Sequence, residues 1–412
     1  MKINIATDQL IHEIEKLATF SSSEAPTVTR ILYSKEDMAS REWMMQLFEE
    51  AGLTIEVDGL GNLFARWVGT DLGLPAVGTG SHTDAIPYSG KYDGVVGVLG
   101  ALEAIRALKR AGFQPRRSID LIHFTAEEPT RFGIGCLGSR AMAGTLSSGQ
   151  IETFKDAQGQ SLNELRSQAG FSSSLQNIQL PINTYHSFLE LHIEQGPRLE
   201  EASLDIGIVT AIAAPATLRV IIEGDGGHAG AVLMPKRKDA MIPAALIIQA
   251  VEQIALESSS PDAVATVGLV NVYPGAVNSI PSKVHLEIDI RDIHLSSRNE
   301  MVDKIKKVVQ QVGTKRSVTI QLEVLNMDDP CHAGSFIMEA IEEACISSDY
   351  TYRRLVSRAY HDTLFMAKIC PTSMIFIPSF KGYSHRPEEY SSPQEIEKGV
   401  LVLAKTLMKL SS

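Results

Sequence analysis

Between residue 1 and about residue 212 the chain alternates short apolar runs with longer runs whose apolar positions recur at helical spacing. No other feature constrains the fold as strongly. A helix is expected over 36–51. Strands are expected over 54–57 and 62–68, around an Asp58-Gly59 turn signal. A short apolar strand follows at 76–82, then a strongly apolar helix at 94–108 and buried strands at 118–125 and 187–194. Strand, helix, strand in this order predicts a mainly parallel sheet with helices on its faces. The first 23 residues read as an amphipathic helix. They lack a basic patch followed by an apolar run and a small-residue cleavage site. No run approaches the ~18 apolar residues of a membrane span. A cytoplasmic protein, with no targeting segment in this chain, is the expectation.

The texture changes near Ala213. Strands at 217–223, 263–272, 283–291 and 317–326 and helices at 238–256 and 296–312 fall in the order βαββαβ, the split-βαβ pattern. The parent pattern resumes with a helix at 335–347, a strand at 373–377 and a helix at 393–409. The expected fold is α/β: a doubly wound, mainly parallel sheet formed by 1–212 and 327–412, interrupted by a βαββαβ domain at 213–326.

Charge and cysteine content narrow the function. Lys and Arg number 38 against 49 Asp and Glu, a net charge of −11. That argues against nucleic acid or an anionic membrane as a partner, since both call for basic patches. Cys136, Cys331, Cys345 and Cys370 form no CxxC pair, which excludes a disulfide scaffold and a cysteine zinc module. Eleven histidines remain, several beside acids.

Ligands of open α/β sheets bind at the carboxyl ends of the strands. The strand at 76–82 ends in His82, with Asp84 two residues on. A carboxylate there can orient a metal-bound imidazole through its second nitrogen. Asp93 precedes the apolar helix, where it can cap the helix or bridge two cations. The strand at 118–125 runs into Glu127-Glu128. Adjacent carboxylates raise one another's pKa unless a cation neutralises them, and a natural division is one ligand and one general base. His192 lies near the end of another strand, and His385 lies in a loop bounded by Gly382 and Pro387. Each element alone has a bland reading as cap, loop or structural imidazole. Together they suit two metals sharing Asp93 and hydrolysis of an amide-like carbonyl.

Over nearly its full length the chain resembles the amidase/hydantoinase/carbamoylase branch of dinuclear metallopeptidase-like amidohydrolases. The resemblance implies that His82, Asp93 and His192 bind one divalent metal, and that Asp93, Glu128 and His385 bind the second. It implies that Glu127 is the general base and that Asp84 supports His82. The inserted domain becomes a lid and a homodimerisation surface. His228, in Gly226-Gly227-His228-Ala229-Gly230, becomes a donor to a substrate oxyanion. Asn278, Arg291 and Gln195 match substrate-binding positions, with Arg291 clamping a carboxylate.

Within that branch the runs 82–94, 127–133, 357–362 and 382–391 resemble the ureidoglycolate amidohydrolases. Tyr360 stands where relatives have glycine and fills space, which implies a small, anionic ureido substrate. His361 either positions that substrate or braces a loop. The alternatives are N-carbamoyl-L-amino acid or allantoate hydrolysis, and a non-catalytic metal-binding dimer, against which the Glu127-Glu128 pair speaks. The donor set suits zinc, manganese, cobalt or nickel; the resemblance favours manganese. Lys236-Arg237-Lys238 reads as the solvated start of a helix.

Overall fold

The computed structural model describes residues 1–412. The chain forms two compact units. One comprises Met1–Thr210, His332–Ser357 and His361–Ser412; the other comprises Ala211–Cys331 and Arg358–Tyr360.

The larger unit is built on a sheet whose centre is four parallel strands. In spatial order these are Thr372–Ile377, Tyr185–Ile193, Ala76–His82 and Ile119–Phe124. Antiparallel strands flank them: Leu63–Trp67 and Thr54–Val57 on one side, Ile206–Ile212 on the other. The expected α/β sheet is borne out. Alternation along the strands fills both faces. Leu189, Leu191 and Ile193 join the core beneath helices Thr7–Ala18, Val95–Arg110, Ser335–Ile346 and Pro393–Ser411. Phe188 joins a second core with Ile122, Phe124, Leu137 and Met142 on the opposite face. Glu190 and His192 alternate with those leucines, so they share the second face with Phe188.

Helix Val95–Arg110 is buried along almost its whole length, which explains its continuously apolar sequence. It starts at Val95, and no side chain caps it; Asp93 is therefore not used as a cap. No helix in the structure is long and apolar enough to cross a membrane.

In the smaller unit the strands run in spatial order Val264–Tyr273, Lys283–Asp292, Ala214–Glu223 and Thr319–Met327, all antiparallel. Helices Met241–Leu256 and Leu295–Arg316 cover one face, burying Leu218, Val220, Leu286 and Ile288. The last strand begins at Thr319, two residues late, because Ser317 sits in the left-handed region (φ 52°) as the cap of the preceding helix. The basic run 236–238 is not a helix start. The helix opens at Met241, whose N–H donates to Asp239 Oδ1 at 2.9 Å. Arg237 instead donates through Nε to the Val232 carbonyl at 2.9 Å and through Nη2 to the Ala229 carbonyl.

Candidate metal centre

The four parallel strands set down their chemistry at their carboxyl ends. His82 closes one strand. The Ile119–Phe124 strand passes into a turn at Ala126 (φ 54°) and presents Glu127 and Glu128. His192 is the penultimate residue of the third, and the loop after Ile377 carries His385 (φ 58°).

Asp93 stands among them, and its two oxygens divide the set. Oδ1 lies 3.5 Å from His82 Nε2 and 3.2 Å from His192 Nε2. Oδ2 lies 3.3 Å from His385 Nε2, which is 3.2 Å from Glu128 Oε1. Within each trio, His82–Asp93–His192 and Asp93–Glu128–His385, all donor atoms lie within 4.8 Å of one another. Gly94 permits this approach. A Cβ there would lie 2.5 Å from the His82 ring, and its φ is +66°.

The hydrogen bonds of the imidazoles test whether a cation fits. His192 Nδ1 is 2.9 Å from the Ile193 carbonyl, an acceptor, so Nδ1 carries the proton. The Gly94 N–H donates to His192 Nε2 at 3.2 Å, so Nε2 presents a lone pair. That lone pair also faces Asp93 Oδ1. Two acceptors at 3.2 Å need a proton or a cation between them, and a divalent cation would fill that place. His82 repeats the arrangement, with Nδ1 3.1 Å from the Asp84 carbonyl and Nε2 towards Asp93.

The electrostatics agree. Burial pushes the His82 imidazole down, but Asp84, Asp93 and the Glu127 charge hold it well above its ordinary range. Contacts with Asp93 and Glu128 push His385 up to about 11. Burial disfavours an ionised Asp93, yet His192, His385 and His82 hold it well below the usual carboxylate range. Such a site gathers positive charge, as protons or as cations.

Asp84 does more than the sequence suggested. The Nδ1 contact to its carbonyl is shorter than the one to its Oδ1, at 3.4 Å. Its carboxylate accepts the backbone N–H groups of Glu127 (3.2 Å) and Glu128 (2.9 Å), so it fixes the turn that carries both acids. Glu127 Oε2 points towards the cluster, 3.8 Å from His82 Nε2. Its Oε1 receives the Cys136 thiol at 3.6 Å. Burial pushes Glu127 well above the usual carboxylate range; His82 opposes this and Glu128 adds to it.

The remaining expected residues are distributed as follows. In the larger unit, Gln195 Nε2 donates to Asp93 Oδ2 at 2.7 Å. His361 is buried, with Nε2 3.0 Å from Ser357 Oγ and its ring 4.6 Å from the His192 ring. In the smaller unit, His228 is exposed and paired with Ser279, and Ala229 N–H donates to the Asn278 carbonyl at 2.8 Å. Arg291 donates through Nε to Asp289 (2.8 Å) and through Nη1 to the Arg358 carbonyl (2.7 Å). Tyr360 donates to Asp328 Oδ2 at 2.7 Å.

Sequence reasoning missed several neighbours of the centre. Glu190, fully buried, accepts Ser81 Oγ and Thr363 Oγ1, each at 2.6 Å, and so ties the His192 strand to the His82 strand. Ser384 Oγ donates to Asp93 Oδ2 at 2.7 Å. Glu389 is buried beside Asp93, and burial with the Asp93 charge pushes it up to about 7. The alternation Leu189-Glu190-Leu191-His192 was the available signal for Glu190, because it places Glu190 on the His192 face.

This sheet, with its acid- and imidazole-lined carboxyl ends, defines a metal-dependent hydrolase. The chain belongs to the peptidase family M20/M25/M40, whose model matches residues 78–409. That family is dinuclear and metal-dependent, and the two trios are this chain's candidate ligand sets. Among its relatives, the ureidoglycolate hydrolase of Arabidopsis thaliana is 51% identical over 99% of this chain and 87% of that protein. The N-carbamoyl-L-amino-acid amidohydrolase of Paenarthrobacter aurescens is 35% identical over 98% of each. The crystal structure of AtUAH in complex with glyoxylate superposes with a TM-score of 0.90 at 51% identity, covering 99% of this chain and 98% of that one. The family resemblance read from the motifs is borne out, and the chain is a hydrolase of amide or ureido bonds.

Proposed function

We propose that this chain hydrolyses ureidoglycolate, a small anionic ureide, to glyoxylate, ammonia and, after carbamate breakdown, carbon dioxide. The observation that carries the chemistry is the divided Asp93 carboxylate with Glu127 beside it. The substrate follows from likeness: identity is 51% to a ureidoglycolate hydrolase against 35% to a carbamoylase.

His82, Asp93 and His192 would hold one divalent cation, and Asp93, Glu128 and His385 the other; manganese is our assignment. When bound, the cations polarise the ureido carbonyl and make a water more acidic. Glu127 takes the proton of the attacking water and delivers it to the leaving nitrogen. Its Oε2, turned towards the cluster, suits both acts, and Asp84 keeps its backbone in place. His228 Nδ1 accepts the Gly230 N–H at 3.1 Å. A neutral His228 therefore carries its proton on Nε2, the state that donates to a developing oxyanion. Arg291, its orientation set by Asp289 and the Arg358 carbonyl, binds the substrate carboxylate with Asn278. Gln195 contacts the ureido group. Tyr360 limits substrate size, and His361 supports His192 from behind.

The smaller unit serves as lid and dimerisation domain in this reading. Its outer strand, Val264–Tyr273, pairs on one side only and carries no charged residue, which supports a homodimer. All four cysteines are free, which supports a cytoplasmic location.

The test is ammonia release by the metal-loaded enzyme across ureidoglycolate, allantoate and N-carbamoyl-L-amino acids. Ureidoglycolate should give a kcat/KM at least about tenfold above the others. Preference for an N-carbamoyl amino acid or for allantoate would overturn the substrate. Silence across the panel would favour the non-catalytic dimer.

A further inference from the structure

The geometry points to Glu389 as a positioning residue that holds the two halves of the metal centre in register, a role that rests on the two-metal reading above. Glu389 lies four residues beyond His385 and is only 3% exposed. Oε1 accepts the backbone N–H of Tyr92 at 2.8 Å and that of Asp93 at 3.0 Å. Oε2 lies 3.1 Å from Ser384 Oγ, the hydroxyl that donates to Asp93 Oδ2. One carboxylate thus joins the turn that presents the bridging acid to the loop that presents His385.

Those two segments need such a tie. His82 and His192 belong to strands, and the ladder fixes their backbones. Asp93 and His385 both lie outside strands, and almost 300 residues separate them in sequence. The His385 side chain is 46% exposed, so packing does little to hold it.

Glu389 also has a shaped seat. A Cβ on Gly90 would come within 2.5 Å of the Glu389 Cβ and Oε1, so the turn before Asp93 closes against this side chain. Its neighbour Glu388 makes only an exposed pair with Arg386 at 2.8 Å. A carboxylate buried beside a second carboxylate is costly unless its hydrogen bonds are all made. Here Oε1 takes two N–H groups from the turn that carries Asp93, and Oε2 faces the Ser384 hydroxyl beside His385.

Loss of the tie should therefore act unevenly. The trio of His82, Asp93 and His192 keeps two ligands on strands. The trio of Asp93, Glu128 and His385 loses the placement of two of its three members.

The experiment titrates Mn2+ into metal-free protein against a competing chelator, reading ions bound per chain and the affinity of each. Wild type should bind two. Glu389→Ala should keep the first at near wild-type affinity and bind the second at least about tenfold more weakly. Glu389→Gln keeps an oxygen for the two N–H groups and should recover most of that loss. Two ions bound by Glu389→Ala at wild-type affinities would overturn the proposal. If circular dichroism shows that Glu389→Ala does not fold, Glu389→Asp, whose carboxylate stops one methylene short of the Tyr92 and Asp93 N–H groups, reads the same tie. A weakened second ion there supports the proposal, and unchanged binding overturns it. Fewer than two ions in wild type would instead overturn the two-metal reading on which the proposal stands.

Discussion

Asp93 shows how much one residue's surroundings decide. In front of a helix, aspartate is by default a cap. Here the helix begins uncapped and the carboxylate turns to three imidazoles. Glu127 and Glu128 are adjacent in sequence but receive different tasks: Glu128 Oε1 meets His385, while Glu127 keeps one oxygen on the Cys136 thiol and the other towards the cluster. Glu127→Gln keeps the shape and removes the base. It should lower kcat by about 10²–10⁴-fold and leave two ions bound, as measured by metal analysis beside steady-state ammonia release. Activity within a few-fold of wild type would sink the base assignment. His82, His192 and the Glu127-Glu128 pair were legible because such residues at or just past the end of an apolar strand call for a partner, and Asp93 and His385 were legible only as part of that set. Glu389 was not legible. Glu388 and Glu389 look alike in sequence, and only the folded loop buries the second and leaves the first in water.

At the scale of elements, the legible parts were those with strong periodicity. The four parallel strands and their covering helices stand out because apolar runs end sharply at polar residues. Ala85–Ser89 was missed. It contains Pro87 and pairs only with the three-residue strand Val28–Arg30, so it carries no alternating pattern. The helices Ser148–Ile151 and Leu162–Gln168 were missed although each opens on a capping box, Ser147 with Gln150 and Ser161 with Glu164. They are too short to show a periodic face. The junction before Val95–Arg110 yields a prediction of its own. Gly94 adopts φ +66° and has no room for a Cβ beside the His82 ring. Gly94→Ala must bear a positive-φ strain of about 1–3 kcal/mol and displace His82 or the helix start. The variant should melt several degrees lower by calorimetry and bind metal more weakly at the His82 trio. An unchanged melting temperature with two tightly bound ions would show that the close approach is not needed.

On the scale of the whole molecule, the division into two compact units follows from a change of texture visible in the sequence, but one piece of the smaller unit was hidden. Arg358–Tyr360 returns to it from far along the chain. Arg358 pairs with Asp262, its carbonyl accepts Arg291 Nη1, and Tyr360 reaches Asp328. No local pattern announces three residues whose partners lie so far away in sequence. The outer edge of the same unit bears on assembly. Val264–Tyr273 is ten residues long, wholly uncharged, and exposes Val264, Val270 and Tyr273. The opposite edge strand, Thr319–Met327, carries Glu323, the kind of charge that blocks edge pairing. An unguarded edge of that length should be covered by a second chain, and a two-fold pairing of like strands would do so. Placing a lysine on it should separate the chains without unfolding them, because Val270 is 43% exposed. Val270→Lys should therefore elute as a monomer in light-scattering chromatography at concentrations where the wild type is a dimer, with its circular dichroism unchanged. If the variant kept the dimer mass, this edge would not be the interface. If the wild type ran as a monomer, the uncharged edge would be solvent-exposed and the homodimer reading would fail with it.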